Sequence, residues 1–96
     1  MKRIEIVCNR SIEEDLFDRF KKNDVVKFYT KIPIVFGVGT SGPRMGDQTW
    51  PEENFMLIVY CDEKEADLIK KTIEDIKSYF KDEGLKMFET ELVCCV

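Results

Sequence analysis

Four stretches with strand patterning and two with helical patterning follow one another in the order β-α-β-β-α-β. Three observations carry that order. Apolar and polar residues alternate near the N-terminus. Two segments repeat apolar side chains at helical spacing, each behind a capping residue. One stretch in mid-chain is apolar on both faces. Together they predict an α+β fold, a ferredoxin-like βαββαβ sandwich with a four-stranded antiparallel sheet and two helices on one face. At 96 residues the chain is expected to form one domain, 1–96, and to bury roughly two-thirds of the surface its unfolded form exposes.

The first strand covers residues 2–8. Ile4, Ile6 and Cys8 share one face, and Arg3, Glu5 and Val7 the other. Ser11-Ile12-Glu13-Glu14 then fits a capping box, with the Ser11 hydroxyl accepting from the Glu14 amide and the Glu14 carboxylate reaching back. The helix runs to about Lys22 on a stripe of Ile12, Leu16, Phe17 and Phe20, and Asn23-Asp24 ends it in a turn. Residues 25–36 read as a long strand with Val26, Phe28, Thr30, Ile32, Ile34 and Phe36 on one face. Pro33 cannot donate to a ladder, so this strand lies at an edge or is irregular there.

Residues 37–53 form a long loop that holds four of the five glycines and two of the three prolines. Loops of that length in a small domain are functional or disordered. Residues 54–61 follow, apolar on both faces from Phe55 onward, as a central strand covered on both sides does. Asp62 caps the second helix, with Glu65 at the matching third position. Its stripe is Ile69, Ile73, Ile76 and Phe80, and Gly84 stands where a left-handed stop is expected. Residues 85–95 make the last strand.

Composition excludes several functions. The net charge is −4 and both signs are dispersed, so no nucleic-acid footprint is present. No run of 18 apolar residues occurs, so the chain is not membrane-embedded. The N-terminal stretch is too polar for a signal peptide, and the expected location is cytoplasmic. Cys8, Cys61, Cys94 and Cys95 form no CxxC and there is no histidine, so no zinc motif is present. Cys8 and Cys61 sit at the ends of apolar strands and read as buried structural thiols, kept reduced. Cys94-Cys95 remains open to oxidation between chains or to metal capture. No nucleophile, base and orienter assemble, so the chain is not read as an enzyme and calls for no cofactor.

With both helices on one face of the sheet, the other face must meet water or another chain. The central strand sends Phe55, Leu57 and Val59 to one side and Met56, Ile58 and Tyr60 to the other. Large side chains on a wet face are what monomers avoid, so self-association is expected, the alternative being that a loop or the C-terminal tail covers this face.

Gly37-Val38-Gly39-Thr40-Ser41-Gly42 spells GxGxxG directly after a strand. A dinucleotide fingerprint also needs a helix to begin there, and Pro43, Gly46 and Pro51 deny one. The loop still suits an anion, through its backbone amides and the fixed charge of Arg44. The same residues also make an ordinary turn-rich loop, and the two readings stand side by side. Trp50 either anchors the loop to the core or contacts a ligand or partner. Asp47, Glu52 and Glu53 read as a solvated acidic segment rather than a site for a hard cation.

Four stretches of the chain resemble a known family: Lys2-Arg3-Ile4-Glu5-Ile6, Phe36-Gly37-Val38-Gly39, Ile58-Val59 through Asp62, and Gly84-Leu85-Lys86-Met87-Phe88. They are similar, in turn, to the first strand, the base of the T-loop, the third strand with its acidic helix start, and the approach to the last strand of the PII-like superfamily of small signalling proteins. The resemblance spans nearly the whole chain. It implies a homotrimer with ligand clefts between subunits and a long loop that docks onto a partner. It also implies that Lys86 stands where the family's lysine contacts nucleotide phosphate. The expected ligand-binding residues are therefore Gly37, Gly39, Thr40, Arg44 and Lys86, with Trp50 a partner contact. The loop here is shorter than a classical T-loop and lacks the tyrosine that is uridylylated in some members. The Arg-x-Arg segment is missing, and the turn Lys81-Asp82-Glu83-Gly84 is short. The expectation is a regulatory trimer that senses a small anionic ligand, such as a nucleotide, and acts through loop 37–53. The alternative is a metal-binding or metal-responsive trimer similar to CutA, motivated by the cysteines and the acidic loop.

Overall fold

The computed structural model describes residues 1–39, 42–44 and 53–96. In chain order they form β1 (Lys2–Asn9), a 3-10 turn (Arg10–Ile12), α1 (Glu13–Lys22), β2 (Thr30–Val35), β3 (Gly37–Gly39), β4 (Gly42–Arg44), β5 (Asn54–Cys61), α2 (Glu63–Tyr79) and β6 (Leu85–Glu91). The main sheet has the order β2-β5-β1-β6, and every pairing in it is antiparallel. This is the expected βαββαβ sandwich.

The strand reading of residues 2–8 and 54–61 carries the core. Ile4, Ile6 and Cys8 of β1 and Phe55, Leu57, Val59 and Cys61 of β5 are buried against the helical stripes. Those stripes are Ile12, Leu16 and Phe20 on one side and Ala66, Ile69, Ile73 and Ile76 on the other, so both helices lie on one face. β5 is an inner strand and β2 an edge strand, as the doubly apolar pattern and Pro33 imply. The ladder of β2 slips between Ile32 and Val35, where Pro33 has no amide to donate.

Several boundaries differ from the sequence expectation, each for a physical reason. Ser11 does not cap α1. Asn9 does the turning instead: its Oδ1 accepts from the Ser11 amide at 2.8 Å, and the α1 N-cap, Ile12, has no side-chain cap. Residues 25–29 are not strand. Asp24 and Val26 take φ of 57° and 56°, which breaks an extended run, and Val25 and Val26 tuck into the core. The Val26 amide goes to the Glu65 carboxylate at 3.0 Å rather than to a ladder partner. Asp62 caps α2 as expected, accepting from the Glu65 amide at 2.8 Å. The helix stops at Tyr79 because Phe80 leaves helical geometry (φ −114°, ψ 64°). Gly84 is therefore not its stop: it lies four residues beyond Phe80, with a φ outside the left-handed region. β6 ends at Glu91 rather than at residue 95, because Glu91 pairs with Lys2 and β1 begins there.

Candidate functional site

The first part of the expected loop is ordered into a second, two-stranded sheet. Gly37 pairs with Arg44, Val38 with Pro43 and Gly39 with Gly42. Among the described residues the glycines lead into a strand pair and not into the helix that a dinucleotide fingerprint needs. Gly37 and Gly39 lie in β3, where successive amides point to opposite sides. A Cβ at Gly37 would meet no atom within 4 Å, so packing does not demand glycine there. Arg44 ends β4. Thr40 and Trp50 lie outside the described residues, as do Asp47 and Glu52.

One end of the main sheet gathers the segments that matter. Val35 pairs with Asn54, Asn54 with Asn9, and Cys8 with Leu85. The hairpin β3–β4, the return of the long segment at Glu53, and the turn before β6 all leave from that end. The β1–α1 junction ties two of them down. The Asn9 amide donates to the Gly84 carbonyl at 2.8 Å, and the Ser11 hydroxyl donates to the Glu83 carboxylate at 2.8 Å. The Arg10 amide donates to the Glu53 carbonyl at 2.8 Å, and its guanidinium meets the Glu53 carboxylate at 2.6 Å. Glu13 lies within ion-pair reach of Arg10 and also bonds Lys31 of β2. Asn9 is buried, which suits a side chain that satisfies a turn amide. Sequence reasoning gave Asn9 no role. Its preference for bonding the amide two residues on was the available signal.

Lys86 is exposed on the face of the sheet away from the helices. It shares a transverse row with Val7, Met56 and Ile32. The next row is Phe88, Glu5, Ile58 and Thr30, and then come Thr90, Arg3 and Tyr60. Phe88, Tyr60 and Ile32 are exposed, as are Ile34 and Phe36 along the β2 edge. Arg3 sits among them, donating to the Tyr60 hydroxyl at 2.7 Å and to the Glu5 carboxylate at 3.2 Å. This is the mixed apolar face that the β5 pattern predicts.

Lys86 and the hairpin are not brought together within one chain. β6 and β2 are opposite edges of the sheet. Three interstrand steps of about 4.8 Å separate the two edge strands by about 14 Å.

The cysteines divide into two kinds. Cys8 and Cys61 are buried, and Cys94 and Cys95 are exposed. Burial pushes the Cys8 thiol up to about 12 and the Cys61 thiol up to about 11, so both stay protonated and unreactive near neutral pH. Among the described residues no group of three or more His, Cys, Asp or Glu is placed to hold a metal ion. Nor is any described helix long and apolar enough to cross a membrane.

The fold and the family likeness agree with what is found among known proteins. The family model for nitrogen regulatory protein P-II matches residues 1–94. No curated protein matches the chain. Among solved structures, CPII from Thiomonas intermedia K12, bound to ADP and bicarbonate, aligns with a TM-score of 0.72 at 20% identity, over 93% of this chain and 82% of that one. A putative PII-like signalling protein from Thermus thermophilus aligns at 0.63 and 20% identity, over 93% and 83%. A DUF3240 family protein from Shewanella baltica aligns at 0.61 and 11% identity, over 99% and 93%. At these identities the likeness shows the fold.

Proposed function

The chain belongs to the nitrogen regulatory protein P-II family, and from that premise we propose that it is a regulatory homotrimer sensing a small anionic ligand between its subunits. P-II proteins are signalling regulators, and the reading requires no catalytic step. The observation that carries it is the separation of the two halves of the expected site. Lys86 leaves one edge of the sheet and Gly37–Arg44 the other, at the same end. Copies set edge to edge bring the Lys86 of one against the hairpin of the next. The half-apolar sheet face, with Phe88, Tyr60 and Ile32 exposed, gives those copies a reason to associate.

In this reading the ligand is an adenine nucleotide, the class bound in the CPII structure from Thiomonas intermedia. Lys86 of one subunit and Arg44 of its neighbour neutralise the phosphates, while the Gly37, Gly39 and Thr40 backbone faces them. Loop 37–53 then presents Trp50 to a target protein. The test is ADP titration by calorimetry, with native mass spectrometry for the subunit count. A trimer that takes up ADP is expected. Charge-assisted contacts are each worth about 1.5–3 kcal/mol, so Lys86→Ala with Arg44→Ala is expected to weaken ADP roughly 10²- to 10⁴-fold. An affinity unchanged in the double variant sinks the site.

A further inference from the structure

The four thiols are not explained by nucleotide sensing. Free cysteine is among the most buried residue types, packing as a small hydrophobe. Cys8 and Cys61 follow that rule, while Cys94 and Cys95 break it side by side. They sit just past β6, on a segment whose root is fixed. Lys2 holds Glu91 at 2.5 Å, and the Leu92 amide donates to the Met1 carbonyl at 3.0 Å. Adjacent Cα atoms lie about 3.8 Å apart, below the 4.4–6.8 Å or so that a disulfide spans. Closing the pair on itself is therefore disfavoured, and both sulfurs remain available as ligands.

We propose that Cys94 and Cys95 together form a two-thiolate binding site for a soft metal ion, Cu(I). The donor set decides the ion. Two thiolates select soft cations over hard ones. Zinc prefers four ligands, and no third metal-binding side chain gathers near the pair among the described residues. The neighbouring carboxylate, Glu91, is engaged by Lys2, whose hydrogen bond holds it below the usual carboxylate range. Cu(I) is satisfied by two sulfurs, and a dipeptide supplies both from one chain, so the second sulfur binds at high effective concentration.

The test is anaerobic titration of the reduced, full-length protein with Cu(I) against a chromogenic Cu(I) chelator. The expected result is one Cu(I) per chain, retained in Cys61→Ser and lost in Cys94→Ser/Cys95→Ser. Each single variant, Cys94→Ser or Cys95→Ser, is expected to bind on the order of 100-fold more weakly, because the chelate is gone. Three results overturn the proposal: unchanged stoichiometry in the double variant, single variants that bind with wild-type affinity, or one copper shared by two chains in native mass spectra.

Discussion

Replacing Phe88 by serine tests the sheet face as a contact between copies. Phe88 stands on the face away from the helices and keeps 55% of its surface exposed in the single chain. A buried aromatic side chain covers about 150–250 Å2, so roughly 100 Å2 of Phe88 waits to be covered. At about 25 cal/mol per Å2 that is worth about 2.5 kcal/mol per Phe88 buried, or roughly a 60-fold weakening of association for each one lost. The exposed part of the ring adds nothing to the isolated chain, but the covered remainder, roughly 90 Å2, is worth about 2 kcal/mol to the fold, so the variant's melting is checked alongside its assembly. A serine in a strand costs at most about 1 kcal/mol. Tyr79→Ser is the control: Tyr79 is 71% exposed, but on the outer surface of α2, where no contact between copies is expected. Sedimentation velocity over a dilution series reads the result. The Phe88→Ser assembly should dissociate at concentrations at least tens of times higher than wild type, with Tyr79→Ser unchanged. Equal behaviour of all three proteins would refute the reasoning.

Two other outcomes follow from single contacts. Val26 is buried at a φ of 56°, a left-handed geometry that costs a residue with a Cβ about 1–2 kcal/mol. Val26→Ala removes two carbons, about 1.6 kcal/mol, and keeps the strain. Val26→Gly removes three, about 2.4 kcal/mol, and adds about 0.4–1 kcal/mol of unfolded-chain freedom, but releases the strain. The two variants should therefore melt within about 0.5 kcal/mol of each other in urea, and a glycine variant worse by more than about 1 kcal/mol would mean the strain is not there. For Arg10 and Glu53, a double-mutant cycle with Arg10→Gln and Glu53→Gln should give a coupling of about 0.5–1 kcal/mol, as partly exposed ion pairs do. It should shrink in about 1 M salt as screening takes hold, and a coupling of zero at low salt would remove the pair from the account of how Glu53 is anchored.

What the sequence made legible follows the range of the forces involved. The alternation in β1 and the doubly apolar run in β5 are local signals, because each residue's face is set by its own strand. The α1 and α2 stripes and the Asp62 cap are equally local. The misreadings fall where a distant partner decides. Val25 and Val26 look like strand until Glu65, on another element, takes the Val26 amide. Residues 92–95 look like strand until β1 runs out at Lys2. Ser11 looks like a cap until Asn9, buried beneath the turn, takes its amide. The glycine-rich loop read as irregular, yet Gly37–Gly39 and Gly42–Arg44 pair with each other. Glycine and proline carry weak strand preference, so composition concealed a hairpin that backbone pairing alone produces.

The proposed site was legible only as two halves, because no periodicity in one chain encodes a contact between two. Gly37 to Arg44 and Lys86 emerge at one end of the sheet but from its opposite edges. In the proposed assembly the exposed Phe88 and Tyr60 would be covered as well. Assembly and ligand binding are then linked quantities. A ligand held only between copies stabilises the assembled form by RT ln(1 + [L]/Kd), and a loss of assembly lowers ligand affinity by the same free energy. The Phe88 variant, which removes no charged group, would thus bind nucleotide more weakly at a given protein concentration and recover as the protein is concentrated. Loss of Lys86 would weaken binding at every concentration alike.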